Sequence, residues 1–175
     1  MPTRNLQADG SIRFEDEQGK AVLLRVRPGV VLLTYTGHLK ADFFTPLRLE
    51  MEYEIELAHM QKKALVMIAD CWELKGVETG FRELWMHWLE SHRGEVGNVL
   101  GLIQSRLVAM ATSIMSIFLG GGLIKMYSDP AEFDKAVERF APGLGWGRRV
   151  RAALGTATEI SRRARVPAVF SSRRS

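Results

Sequence analysis

The chain is predicted to fold as one α/β domain with a mostly parallel central sheet, about four helices and a basic C-terminal tail. Two observations carry most of that prediction. The segments VVLLTYTG (30–37) and KALVMIAD (63–70) are nearly continuous apolar runs, the composition of strands buried on both faces of a parallel sheet. Helical segments fall between the strands, so the order reads β β β α β α β α β α, which calls for right-handed crossovers between parallel neighbours.

SIRFED (11–16) and AVLLRVR (21–27) are expected to form a hairpin around EQGK. Pro28-Gly29 is a turn before the 30–37 strand. GNVLGLI (97–103) and LIKMYS (123–128) are two further strands. Helices are expected at about 42–60, 79–93, 105–119 and 130–140. The last has the best local signals: Ser128 or Asp129 to cap it, Pro130 in the first turn and Glu132 at the positive end of the dipole. Gly120–Gly122 closes the helix before it. The 79–93 helix places Phe81, Leu84, Trp85, Trp88 and Leu89 on one stripe.

LRLEMEYEIEL (47–57) alternates apolar and polar residues as a strand would, yet consists of helix formers behind Thr45-Pro46. It is assigned as helix. That choice leaves apolar residues on two sides: Leu47, Met51, Ile55 and Ala58, then Leu49, Tyr53, Leu57 and Met60. The second side is a surface for a partner or for a homodimer mate. Three segments result: hairpin strands over 1–29, the main domain over 30–141, and the tail over 142–175.

At 175 residues and 46% hydrophobic content the chain can bury a sizeable core. Its single cysteine, Cys71, excludes an intrachain disulfide and a cysteine-based zinc cluster, and points to a reducing, cytoplasmic compartment. The first twenty residues lack the apolar core of a signal peptide. Leu107–Ile124 carries no charge over 18 residues, but its Ser, Thr and Gly content fits a buried helix and a glycine turn better than a membrane span.

No catalytic constellation is visible. His87 and His92 stand five apart, about 140° around a helix, so they cannot chelate as an i, i+4 pair. Cys71 has no histidine assignable to activate it and is expected to be a core thiol. LGGGLIK lacks phosphate-loop spacing. No metal, cofactor or enzymatic activity is expected.

TGHL (36–39), ALVMIAD (64–70) and ETGF (78–81) together resemble the STAS domain of anti-sigma-factor antagonists, a bacterial regulatory family. There a strand ends in a Thr-Gly-Glu-Leu-like corner, and a later loop ending in Asp-Ser-Ser-Gly-Leu opens a helix. The resemblance spans residues 30–140. It departs at Val77, which stands where the acidic residue is expected, with Glu78 one place later. The CRAL-TRIO lipid-binding proteins have a related sheet topology.

The resemblance implies a non-enzymatic interaction module whose partner is a kinase or an anti-sigma-like regulatory protein. It places Thr79 at the position of the phosphorylated serine, flanked by Glu78, Gly80 and Arg82 as docking residues. A phosphate at a helix start would meet unpaired N–H groups. Two readings of Thr79 stand: a regulatory switch and a plain helix cap.

The tail is a separate prospect. Residues 142–175 hold eight arginines and one acid, Glu159, for a net charge of +7, which leaves −3 for residues 1–141. Arg148, Arg149, Arg151, Arg162, Arg163 and Arg165 lie opposite an apolar face, behind Trp146. Such a segment suits an anionic membrane surface and a peripheral adaptor role, with nucleic acid the weaker alternative.

Overall fold

The computed structural model describes residues 1–104 and 122–142. The helix expected at 105–119, most of the uncharged run at 107–124, and the tail with Trp146 and its arginines lie outside the described residues.

Among the described residues, seven strands form one sheet whose spatial order is their sequence order. They are β1 (Thr3–Leu6), β2 (Ile12–Glu15), β3 (Gly19–Arg27), β4 (Val30–Leu39), β5 (Leu65–Val77), β6 (Val96–Leu102) and β7 (Ile124–Tyr127). β1 to β4 pair antiparallel, and β4 to β7 pair parallel. The sheet is therefore mixed, not mostly parallel as expected. The cause is connection length, because tight turns can join only antiparallel strands. Asp16 builds one such turn: its Oδ1 accepts the amides of Gln18 and Gly19, each at 2.8 Å. Pro28-Gly29 makes the next, with Gly29 at φ 81°.

β1 went unforeseen, and its sequence explains why. TRNL has no apolar alternation, and the whole strand is exposed. What holds it is the β2 ladder and an ion pair from Arg4 to Glu50, 2.8 Å long.

A 3-10 turn (Ala41–Phe43) runs into α1 (Phe44–Met60); α2 is Thr79–Ser91 and α3 is Pro130–Glu138. Three α-helices are thus described where about four were expected. α3 starts as its sequence signals require: Asp129 Oδ1 accepts the amide of Ala131 at 2.7 Å, with Pro130 in the first turn. The ambiguous 47–57 segment is helical. A helical period buries Leu47, Met51, Ile55 and Ala58 together, whereas Leu49 and Tyr53 are left at least half exposed. That two-sided pattern is what made the segment look like a strand.

Successive crossovers β4–α1–β5 and β5–α2–β6 step in the same direction across the sheet. The right-handed rule then puts both helices on one face. There Val31, Leu33 and Met67 meet Phe43, Leu47, Met51, Phe81, Trp88 and Leu89. On the other face Val30, Leu32, Ile68, Leu100 and Leu102 pack with Phe133 and Val137 of α3. β4 and β5 feed both cores from alternate residues, hence their continuous apolar runs. Leu33 is fully buried, and Leu33→Ala would cost about 3 kcal/mol.

Two acidic side chains, Glu54 and Asp70, lie inside. Glu54, on the inner side of α1, is only 2% exposed. Arg25 reaches it from β3, with Nε 2.9 Å from both carboxylate oxygens, and lies 5.4 Å from the Tyr53 ring centroid. α1 then closes in an unusual way. Lys62 donates its amide to His59 O and Lys63 donates to Ala58 O, with Lys62 in the left-handed region at φ 56°. Glycine is the usual residue there, and a side chain at that φ costs about 1 kcal/mol.

Candidate functional site

The site forms where the far end of β4 meets the start of α2. TGHL is the corner that makes this possible. Gly37 has φ 75°, and the pairing register of β4 against β5 shifts between Gly37 and His38. A Cβ on Gly37 would collide with the Gln18 carbonyl, and one on its partner Gly19 with the His38 carbonyl. Two glycines facing each other let β3 and β4 close around this bulge. The bulge aims His38 over Gly76, where a Cβ would lie 2.6 Å from Nδ1. Leu39 beyond it is buried.

Glu78 ties the corner to the helix. Its amide donates to Leu39 O at 2.9 Å, and its Oε2 accepts the amide of Ala41 at 2.8 Å. The same residue occupies the N-cap position of α2 in extended conformation, and its carbonyl accepts the amide of Arg82 at 3.2 Å. Its carboxylate thus sits at the start of the 3-10 turn that leads into α1, where negative charge is favoured. Gly80 completes the junction: a Cβ there would lie 3.2 Å from the Ala41 methyl.

Thr79 stands apart from this framework. It is the first residue of α2 rather than its cap, it is exposed, and no side chain caps the helix. The reading of Thr79 as a plain cap is therefore corrected: one residue earlier, Glu78 takes that place. The Thr79 hydroxyl accepts a long 3.5 Å bond from Arg82 Nη2. Glu78, Thr79, Gly80 and Arg82 are brought together in one exposed corner. Ala41 belongs to it as well. Only the fold places it there, because no local signal links residues 37 apart in the chain.

β5 supplies the approach to this corner. It continues to Val77, so the loop expected before α2 is strand instead. CWELKGV alternates in exposure, as an edge-like extension should, and the partner ladder of β4 runs alongside it to Leu39–Val77.

Aromatic contacts hold α2 in place. Phe81 meets Tyr35 edge-on at 6.4 Å, Trp85 meets Phe44 edge-on at 5.8 Å, and Trp85 stacks on Trp88 at 5.0 Å. Leu84, expected on the buried stripe, is 43% exposed. His92 ends the ladder, stacked 4.6 Å from Trp88, and its Nδ1 donates to Trp88 O at 2.8 Å. Its ring is thereby committed to closing the helix. No group of three metal-capable side chains occurs among the described residues. The Cys71 thiol packs against the core; burial, with the Asp70 charge second, pushes its pKa up to about 12. A thiol held protonated is a poor nucleophile.

An apolar strand, a glycine corner, a helix, a second apolar strand and a helix opening at ETGF follow one another as the STAS resemblance implies for residues 30–140. The fold is thus that of a STAS-like mixed α/β domain. No family model matches the chain, and no curated protein does. Among solved structures, it is similar to an uncharacterised DUF3478-family protein from Shewanella loihica PV-4 with a SpoIIAA-like fold. The likeness has a TM-score of 0.46 at 20% identity, covering 67% of this chain and 93% of that one. So distant a likeness carries no argument, and the fold rests on the topology above. No helix among the described residues is long and apolar enough to cross a membrane.

Proposed function

We propose that the protein is a STAS-like regulatory interaction module that docks a protein partner at the start of α2, with Thr79 as the switch position. One observation carries this reading. Glu78 and Gly80 hold the corner together, while the Thr79 hydroxyl beside them is exposed and takes no part in capping. Its role is free to be regulatory.

A phosphate on Thr79 would face the unpaired amides of the first turn and the Arg82 guanidinium. It would add nearly two negative charges to the docking surface, next to Glu78. A partner that packs against the neutral corner would then be expelled by desolvation and repulsion. By the STAS resemblance, that partner is a kinase or an anti-sigma-like regulatory protein.

The test pairs mass analysis of the Thr79 peptide, from protein made in its native host, with affinity capture on wild-type, Thr79→Ala and Thr79→Glu baits. The expected result is a phosphorylated Thr79 peptide and a regulatory partner held by wild type and Ala but lost with Glu. Equal recovery of the same partners by the Glu bait would overturn the switch. Because Thr79 is exposed and is not the cap, Thr79→Ala and Thr79→Glu should both remain within about 0.5 kcal/mol of wild-type stability, so binding lost with Glu cannot be blamed on unfolding.

A further inference from the structure

Three loops meet at the end of the sheet opposite the Thr79 corner. The β3–β4 turn packs against the α1–β5 connection, since a Cβ on Gly29 would lie 3.8 Å from Lys63 Cβ and 3.7 Å from Ala58 Cβ. The α2–β6 connection joins them through Leu65 N–H to Glu95 O at 2.8 Å, and through Gly97, which faces Ala64. This end carries Arg27, Lys62, Lys63 and Arg93, all exposed. Among the described residues none of the four is in a salt bridge, which is equally true of Lys20, Lys75 and Lys125 elsewhere; what sets this end apart is that four cations fall together, and its one acid, Glu95, faces His92 at 4.0 Å. Met60, 74% exposed, sits just before Lys62.

Helix dipoles account for part of this, because cations are favoured at the C-terminal ends of α1 and α2. They do not account for Arg27, which lies at a hairpin turn. Nor do they explain an exposed methionine, or a lysine held at φ 56° where glycine would be unstrained. Left-handed Lys62 is exposed between Met60 and Lys63 in the chain.

We propose that this tip is a contact site for an anionic phospholipid surface, with Arg27, Lys62 and Lys63 at the headgroups and Met60 entering the acyl boundary. Lysines on flexible stems suit a diffuse field of headgroups better than a defined carboxylate, for which arginine forks are the usual choice. Among the described residues no exposed aromatic ring lies beside these cations for base stacking, which disfavours single-stranded nucleic acid. The approach is end-on. A side-on approach would press Glu52 and Glu56 of α1 against like charge. This site is independent of the partner reading at Thr79, from which the length of β4 separates it by about 30 Å.

The full-length chain should be co-sedimented with phosphatidylcholine vesicles, with and without phosphatidylglycerol, leaving the arginine-rich tail unchanged throughout. Arg27→Glu/Lys62→Glu/Lys63→Glu should weaken binding to the anionic vesicles about tenfold or more. The control Lys20→Glu/Lys75→Glu/Lys125→Glu, with the same net charge, should weaken it far less. Met60→Ser should lower binding at high salt, where electrostatics are screened. All positions are exposed or half-exposed, and circular dichroism checks that each variant is folded. Equal losses for the two triple variants would overturn the proposal, leaving only a net-charge effect. Binding of wild type to immobilised polyglutamate but not to anionic vesicles would overturn it in favour of an acidic protein partner.

Discussion

The Glu78 carboxylate accepts the backbone N–H of Ala41 at 2.8 Å, across 37 residues of chain. A single side chain thereby joins the entry to α1 with the start of α2, while its own amide holds Leu39 O. Glu78→Ala should cost about 1 kcal/mol in urea unfolding, the worth of a lost cap. Glu78→Gln keeps an acceptor oxygen and should cost less. Equal costs for the two would mean that the side-chain bond contributes nothing.

Arg25 and Glu54 make a second long-range pair, and here burial is unequal. The Arg25 side chain is 41% exposed and that of Glu54 only 3%. Arg25→Ala would strand the carboxylate in the core and should destabilise by about 3 kcal/mol. Adding Glu54→Leu to Arg25→Ala should recover most of that loss, because the stranded charge disappears. A double variant no more stable than Arg25→Ala would refute this account.

Cys71 and Tyr35 make stability sensitive to alkali. Burial raises both, the thiol to about 12 and the phenol well above 10.0. Each is held neutral in the folded chain while its unfolded counterpart ionises earlier. Their contribution is therefore intact below pH 9 and is lost as pH rises from 9 towards 12. Cys71→Ala should flatten the decline in denaturation midpoint over that window. The buried Tyr35 hydroxyl has no partner among the described residues, so Tyr35→Phe should be neutral or stabilise by up to about 1 kcal/mol at pH 7.

Lys62→Gly separates stability from surface binding. Removing the left-handed side chain should stabilise the fold by about 1 kcal/mol, read as a shift in urea midpoint. The same change deletes a tip cation and should reduce binding to anionic vesicles. A variant that is both less stable and equally well bound would contradict both expectations.

Much of this architecture was legible in the residues. The runs at 30–37 and 63–70 announced strands used on both faces, and the signals around Pro130 announced a helix start, of whose two candidate caps, Ser128 and Asp129, the structure uses Asp129. Three things were not legible. β1 has no alternation to betray it, because it is exposed throughout. The hairpin around EQGK is antiparallel as its sequence implies, but the antiparallel pairing of β3 with β4 follows from the Pro28-Gly29 turn, too short for a crossover, and local strand patterns do not carry that pairing direction. At the site, Thr79, Glu78, Gly80 and Arg82 could be picked out as neighbours in sequence. Which of them holds the structure and which is free depends on Ala41 and Leu39, and those contacts exist only once the chain has folded.

The sheet's spatial order repeats its sequence order from β1 to β7. No strand has to be threaded between two that are already paired. A chain emerging from the ribosome can lay each strand against the edge left by the one before, so assembly proceeds by accretion with short loop closures. The same layout makes the two margins of the sheet expendable in a way its centre is not. Loss of β1 would bare the outer edge of β2, whereas loss of β5 would leave β4 and β6 with no partner between them.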